Sequence, residues 1–127
     1  SNMLTKKKII LKDDNMWNIL ELTYALKEEN MEIIIADNGK MAIEKINETD
    51  DINLIVMDIM MPVMNGYDSI KTIRQHHNYK DKPIIALTAN AMQDDQDKCI
   101  ETGAKDYLST PVDSDELLKM INLWLNK

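Results

Sequence analysis

Acidic and hydroxyl side chains stand at the ends of several short apolar runs in this sequence. These residues are Asp13 and Asp14, Asp58, Thr88, and Thr110. Carboxylates with ordinary pKa values near 4 are ionised at pH 7, so a group of them that meets in space needs a cation. An all-oxygen site with few carboxylates suits Mg²⁺, and the lack of thiolate or imidazole ligands in these runs disfavours zinc and copper.

Asp58 ends the central apolar run of the chain. The run 54–57 is too short for a helix and is typical of a strand buried on both faces. Pro62, Asn65 and Gly66 then indicate a turning loop. Ligands of open α/β sheets gather beyond the carboxyl ends of the strands, which makes Asp58 a candidate reactive group. The alternative, that Asp58 caps the next helix, is disfavoured because Gly66 lies eight positions later.

Strand and helix patterns alternate along the whole chain. Strands are predicted over residues 9–11, 33–36, 53–58, 83–87 and 107–108. Helices are predicted from Asp14 or Asn15 to Asn30, after Gly39, over 66–76, over 92–102, and from Asp113 or Ser114 onward. This order predicts an α/β fold with a doubly wound parallel sheet and right-handed crossovers, in which the acids and Thr88 meet at one edge. A helix N-cap with an acidic first turn is the alternative for Asp13 and Asp14, and it explains one acid better than the pair.

Composition limits the possible partners. The 127 residues carry 15 Lys and Arg against 22 Asp and Glu, and the net charge of -7 argues against nucleic acid or an anionic membrane as a direct partner. No apolar stretch approaches the roughly 20 residues that span a bilayer. Cys99 is the single cysteine, which favours a cytoplasmic, reducing location. Ser1 and Asn2 ahead of Met3 look like the remnant of a cleaved tag, so we expect residues 3–127 to form a single domain.

Four segments together resemble the response-regulator receiver domain, and their sequences are most similar to those of receivers in hybrid sensor histidine kinases. They read KDDNMWN, LIVMDIMMPVMNG, PIIALTANAM and GAKDYLSTPV. The resemblance covers nearly the whole chain, and it implies a flavodoxin-like, five-stranded parallel sheet of order 2-1-3-4-5 with five helices. It also implies a role in a two-component phosphorelay.

The resemblance assigns roles to the acidic residues. Asp58 would accept a phosphoryl group from a phosphohistidine, and Asp13, Asp14 and Asp58 would hold Mg²⁺ together with the backbone carbonyl of Met60. An aspartate carboxylate can act as such a nucleophile, forming an acyl phosphate. The domain would then catalyse its own phosphorylation, and its parent chain would be a kinase if it is part of a hybrid histidine kinase.

The resemblance also implies a switch, and two residues depart from the family pattern. Thr88 would bond the phosphoryl oxygens, and Tyr107 would rotate on switching. Thr110 stands where receivers usually carry a lysine that pairs with the phosphoryl group. Lys12 stands where a small or apolar residue is usual, and it either pairs with a carboxylate or reaches solvent at the rim. We also consider that Lys12 partly replaces the missing lysine.

The expected partner is a histidine kinase or a histidine phosphotransfer domain, with no nucleic acid or membrane bound by this domain. It should dock on the loops at the acidic edge and on the first helix, where Trp17 and Ile19 lie. Because of Thr110, the alternative is a degenerate receiver that binds proteins with weak or no phosphorylation. Two enzyme classes on the same sheet are disfavoured. An aspartate-nucleophile phosphatase would need an acid where Met60 stands, and a flavin protein would need a phosphate-binding loop after the first strand, where Asp13 and Asp14 stand instead.

Overall fold

The computed structural model describes residues 4–13, 15–49, 51–59, 65–76, 79–89 and 92–126. Five strands alternate with five helices in this part of the chain. They are β1 Lys8–Lys12, α1 Met16–Glu28, β2 Glu32–Ile35, α2 Gly39–Glu48, β3 Leu54–Asp58, α3 Gly66–Gln75, β4 Ile84–Thr88, α4 Gln93–Thr102, β5 Asp106–Ser109 and α5 Ser114–Leu125.

The strands form one parallel sheet in the order β2-β1-β3-β4-β5. All five residues of β3 and of β4 are buried, as expected for apolar strands covered on both faces. The edge strands β2 and β5 are only partly buried, and β5 has fewer apolar residues than the central strands, so its apolar signal in the sequence is weaker. The predicted fold class and strand order are therefore confirmed.

Side chains alternate between two cores, one on each face of the sheet. Leu11, Val56 and Leu87 pack with apolar residues of α1 and α5. Ile10 and Met57 pack on the other face with residues of α2, α3 and α4. This alternation decides which strand-end residues share a face beside the candidate site.

Short polar side chains start the helices that flank the sheet. The N-caps of α1, α2, α3 and α5, each accepting a hydrogen bond from a backbone N–H of the first turn, are Asn15, Asn38, Asn65 and Asp113. Asn30, the predicted end of the first helix, has a φ of 59° just after α1, the left-handed conformation in which many helices end. No helix in the described ranges is both long and apolar enough to cross a membrane.

Candidate functional site at the carboxyl edge of the sheet

Asp58 is the last residue of β3, the middle strand of the sheet, and only 8% of it is exposed. The chain stays attached to β4 just beyond it, because the Ile59 N–H donates to the Leu87 carbonyl at 2.9 Å. The start of α3 then closes on this point, since the Gly66 N–H donates to the Ile59 carbonyl at 2.9 Å. The backbone on both sides of Asp58 is therefore fixed.

Gly66 is required by that close approach. A Cβ at this position would lie 2.7 Å from the Asp58 carbonyl oxygen and 2.5 Å from the Ile59 Cα. Both are backbone atoms that cannot turn aside. The sequence marked Gly66 only as a turn residue, whereas the structure shows that it lets α3 begin directly against the strand that carries Asp58.

Asp13 lies beyond the end of β1 and is held by two donors. Its Oδ1 accepts from the Asn15 N–H at 3.0 Å, and its Oδ2 accepts from the Asn18 Nδ2. Asn15 is in turn the N-cap of α1 and accepts from the Asn18 N–H at 3.1 Å. The start of α1 therefore fixes the Asp13 carboxylate.

Both carboxylates open into one cavity of about 410 Å³. Its described lining is Asp13, Asn15, Asn18, Asp58, Ala89, Thr110 and Pro111. These residues include two acids and no lysine or arginine, so the described wall carries negative charge. The structure thus brings Asp13, Asp58 and Thr110 together, as the sequence led us to expect.

The donor set fits a hard divalent cation. Mg²⁺ is usually held by one or two carboxylates and keeps several waters, which the two acids and the amide oxygens around this cavity can accommodate. Asp14 and Met60, the other two ligands implied by the resemblance, lie outside the described residues. Among the residues that are described, no three His, Cys, Asp or Glu side chains form a group that could hold a metal.

Thr88 and Tyr107 lie on the face of the sheet that packs against α4. Thr88 is buried at the end of β4 and is not among the described residues that line the cavity; the next residue, Ala89, lines it. Tyr107 on β5 is register-paired with Ala86 on β4. Because side chains two residues apart on a strand share a face, Tyr107 lies on the same face of the sheet as Thr88. The Tyr107 hydroxyl donates to the Gln96 Oε1 at 2.8 Å. Nothing in the sequence pattern indicates this contact between β5 and α4.

Lys12 is 0% exposed, so the alternative that it reaches solvent at the rim is wrong. It is register-paired with Met57, whose side chain belongs to the core under α2, α3 and α4. Lys12 therefore leaves β1 on the face opposite to the one that Asp58 shares with Val56. It is not among the described residues that line the cavity.

Cys99 takes no part in the site. It is fully buried on α4, within the core under that helix. Burial raises the pKa of its thiol, which keeps it protonated at neutral pH. Cys99 is therefore a small buried residue of the core under α4.

The fold and the site agree with what sequence comparison finds. Residues 9–122 match the response regulator receiver domain family. The chain is 38% identical over 124 residues to the transcriptional regulatory protein CpxR of Escherichia coli K12, covering 94% of this chain and 50% of that protein. The chain therefore belongs to the response regulator receiver domain family.

Solved structures give the same result. The receiver domain of the sensor histidine kinase PA1611 of Pseudomonas aeruginosa, with a magnesium ion in its active site cleft, superposes with a TM-score of 0.87 at 32% identity, covering 97% of this chain and 100% of that one. The complex of the Saccharomyces cerevisiae histidine phosphotransfer protein Ypd1 with the receiver domain of Ssk1 matches with a TM-score of 0.88 at 30% identity, covering 95% of this chain and 90% of that one. The chain spans half or less of the length of the first curated relatives that it matches.

Proposed function

We propose that this receiver domain accepts a phosphoryl group on Asp58 from a phosphohistidine, with Mg²⁺ bound at the carboxyl edge of the sheet. The observation that carries the proposal is the fixed, nearly buried Asp58 in a cavity that it shares with Asp13. The magnesium ion in the active site cleft of the PA1611 receiver supports the same choice of cation. The family match over 9–122 supports treating residues 3–127 as one domain.

The chemistry needs a nucleophile held in line and neutralisation of charge on the phosphoryl oxygens. A carboxylate oxygen of Asp58 attacks phosphorus, the P–N bond breaks, and the imidazole nitrogen keeps the electron pair and gains a proton from solvent. Asp13 and Asp14, with the Met60 carbonyl, would hold Mg²⁺, which supplies positive charge to the transferring group. The backbone hydrogen bonds of Ile59 and Gly66 hold the chain beside Asp58 in place, which limits how far its carboxylate can move from the incoming phosphorus.

Thr88 and Tyr107 would carry the signal away from the site. Thr88 leaves β4 on the face opposite to Asp58, so its hydroxyl would have to turn towards the cavity to donate to a phosphoryl oxygen. That movement would change the space beside Tyr107, which lies on the same face as Thr88. Tyr107 is tied to α4 through Gln96, so that change would reach the surface formed by α4 and β5.

Mass spectrometry after incubation with acetyl phosphate and Mg²⁺ tests the assignment. The wild-type protein should gain one phosphoryl group, and Asp58→Asn should gain none because the nucleophilic oxygen is lost. Asp115→Asn, which changes an exposed acid on α5, is the matched control and should behave as wild type. A phosphoryl group mapped to any residue other than Asp58 would refute the assignment, and no phosphorylation of the wild type would favour the adaptor alternative.

The phosphodonor is proposed to be a histidine kinase or a histidine phosphotransfer domain that docks beside the cavity on α1. Large apolar side chains lie on the solvent face of this helix. They are Met16, Trp17, Leu20 and Tyr24, all classed as exposed. Spacings of three and four residues place them along one side of the helix. The complex of the Ssk1 receiver with Ypd1 shows that a receiver of this fold binds such a protein.

Trp17 is the expected anchor of that contact, because 81% of its surface is exposed and it directly precedes Asn18, whose side chain lines the cavity. Truncating a central aromatic anchor costs about 2 kcal/mol or more, so Trp17→Ala should weaken binding of a histidine phosphotransfer domain about 30-fold. Leu123→Ala removes an exposed apolar side chain on α5 and is the control. Isothermal titration would measure both variants. A larger loss for Leu123→Ala than for Trp17→Ala would place the docking surface elsewhere.

A further inference from the structure

Asn18 is a buried amide in the first turn of α1. Only 6% of its surface is exposed, although asparagine is usually found at the surface. Its Nδ2 donates to the Asp13 Oδ2, and its side chain lines the same cavity as Asp58 and Thr110. Burying an amide is costly unless it is hydrogen-bonded, so the hydrogen bond to Asp13 explains how an asparagine can be buried here.

The two donors on Asp13 act on different oxygens. The Asn15 N–H donates to Oδ1 from only two residues further along the chain, so this hydrogen bond is a local turn contact. Asn18 reaches Oδ2 from the helix, five residues away in sequence. A carboxylate held at one oxygen can still rotate about that contact, whereas one held at both oxygens cannot. The bond from Asn18 is therefore what sets the direction in which the Asp13 carboxylate faces.

The chemical type of residue 18 suits this task. Lysine or arginine at this point would hold Asp13 by charge and repel a divalent cation, and an acid would add repulsion to a wall that already has two carboxylates. An amide donates one N–H to Oδ2 and leaves the remaining lone pairs of the carboxylate available. It orients Asp13 without changing the net charge of the cavity.

We propose that Asn18 is a positioning residue of the cation site: it aims the Asp13 carboxylate into the cavity so that Asp13 can bind Mg²⁺. The inference rests on the proposed function only in naming the cation, since the contact and the shared cavity are features of the structure. Groups that hold metal-binding side chains in place typically change metal affinity 10- to 100-fold when they are removed.

The test is the Mg²⁺ affinity of the unphosphorylated protein, which an NMR titration measures without any phosphodonor. Asn18→Leu keeps the approximate size of the side chain and removes the donor, so we expect Mg²⁺ binding about 10- to 100-fold weaker than in the wild type. Asn47→Leu, the same substitution at an exposed asparagine on α2, is the matched control and should leave the affinity unchanged. Thermal unfolding in the presence of a chelator checks folding, and Asn18→Ala replaces the leucine variant if that variant does not fold.

A double-mutant cycle with Asp13→Asn separates positioning from a general structural effect. If Asn18 acts by orienting Asp13, Asn18→Leu should lower the affinity much less once the Asp13 carboxylate is gone. Equal losses in both backgrounds, or unchanged Mg²⁺ affinity in the single variant, would overturn the inference. Because no phosphoryl transfer is measured, a coupled loss of affinity supports the role of Asn18 even if Asp58 proves not to be the phosphoacceptor.

Discussion

Replacing Thr110 with lysine should speed phosphorylation of Asp58. Thr110 directly follows β5, and its N–H donates to the Thr88 carbonyl at 2.9 Å, so its backbone is fixed beside the end of β4. Its side chain lines the cavity that holds Asp13 and Asp58. A lysine here would place an ammonium group in a wall whose described residues include two acids and no cation.

The size of the effect follows from one charged hydrogen bond. Such a bond contributes roughly 1.5–3 kcal/mol net. A difference of about 1.36 kcal/mol corresponds to a factor of ten in rate, so Thr110→Lys should raise the phosphorylation rate about 10- to 150-fold if the bond forms fully in the transition state. The threonine hydroxyl is too short to give the same contact without a bridging water.

Phosphorylation with a small-molecule donor at a fixed Mg²⁺ concentration is the appropriate assay, because it needs no docking partner. Thr110→Met is the length-matched control, since it fills the cavity without adding charge. The reasoning predicts a faster rate for the lysine variant and no gain for the methionine variant. Equal rates in the two variants would show that filling the cavity, and not charge, limits the reaction.

The same assay decides whether Lys12 already supplies the missing charge. Lys12→Met keeps the length of this fully buried side chain and removes its ammonium group. Because Lys12 leaves β1 on the face opposite to Asp58, we expect the same fractional change in the wild-type and Thr110→Lys backgrounds. A much larger loss in the wild-type background would show that Lys12 does compensate for Thr110.

Two further substitutions test contacts that hold the site and the switch. Gly66→Ala would place a Cβ 2.5 Å from the Ile59 Cα. We therefore expect a loss of about 1–3 kcal/mol in the free energy of unfolding, together with slower phosphorylation. An unchanged thermal melt would contradict the close approach. Tyr107→Phe removes the hydroxyl that donates to Gln96 and should cost about 0.5–1.5 kcal/mol in chemical denaturation. The same loss in a Gln96→Ala background would mean that this contact does not stabilise the protein.

The fold could be predicted from sequence because each element carries its own signal. The strands are short apolar runs, and asparagine or aspartate stands at the start of four helices. The ends of elements were less certain, since the edge strand β5 is predicted over 107–108 and extends over Asp106–Ser109. β5 is covered less completely than the central strands, which weakens the apolar pattern on which its prediction depends.

Contacts within the site were harder to predict, because sequence places a residue at an edge but does not say which face it occupies. Asp58 and Lys12 both end neighbouring strands, yet alternation of side chains sends them to opposite faces of the sheet. The contact between Asn18 and Asp13 depends on how α1 leaves the end of β1. An asparagine five residues after an aspartate does not predict that geometry.

The charge balance of the cavity follows from these placements. With no lysine or arginine in its described wall, the two carboxylates are offset by neutral donors and by the start of α1. The backbone N–H groups of a helix N-terminus carry partial positive charge, and the Asn15 N–H that reaches Asp13 belongs to that region. A helix terminus is equivalent to about half an elementary charge, which is less than two carboxylates require. A bound cation would supply the remaining charge, and for this reason phosphorylation of this receiver should depend more steeply on Mg²⁺ than phosphorylation of its Thr110→Lys variant.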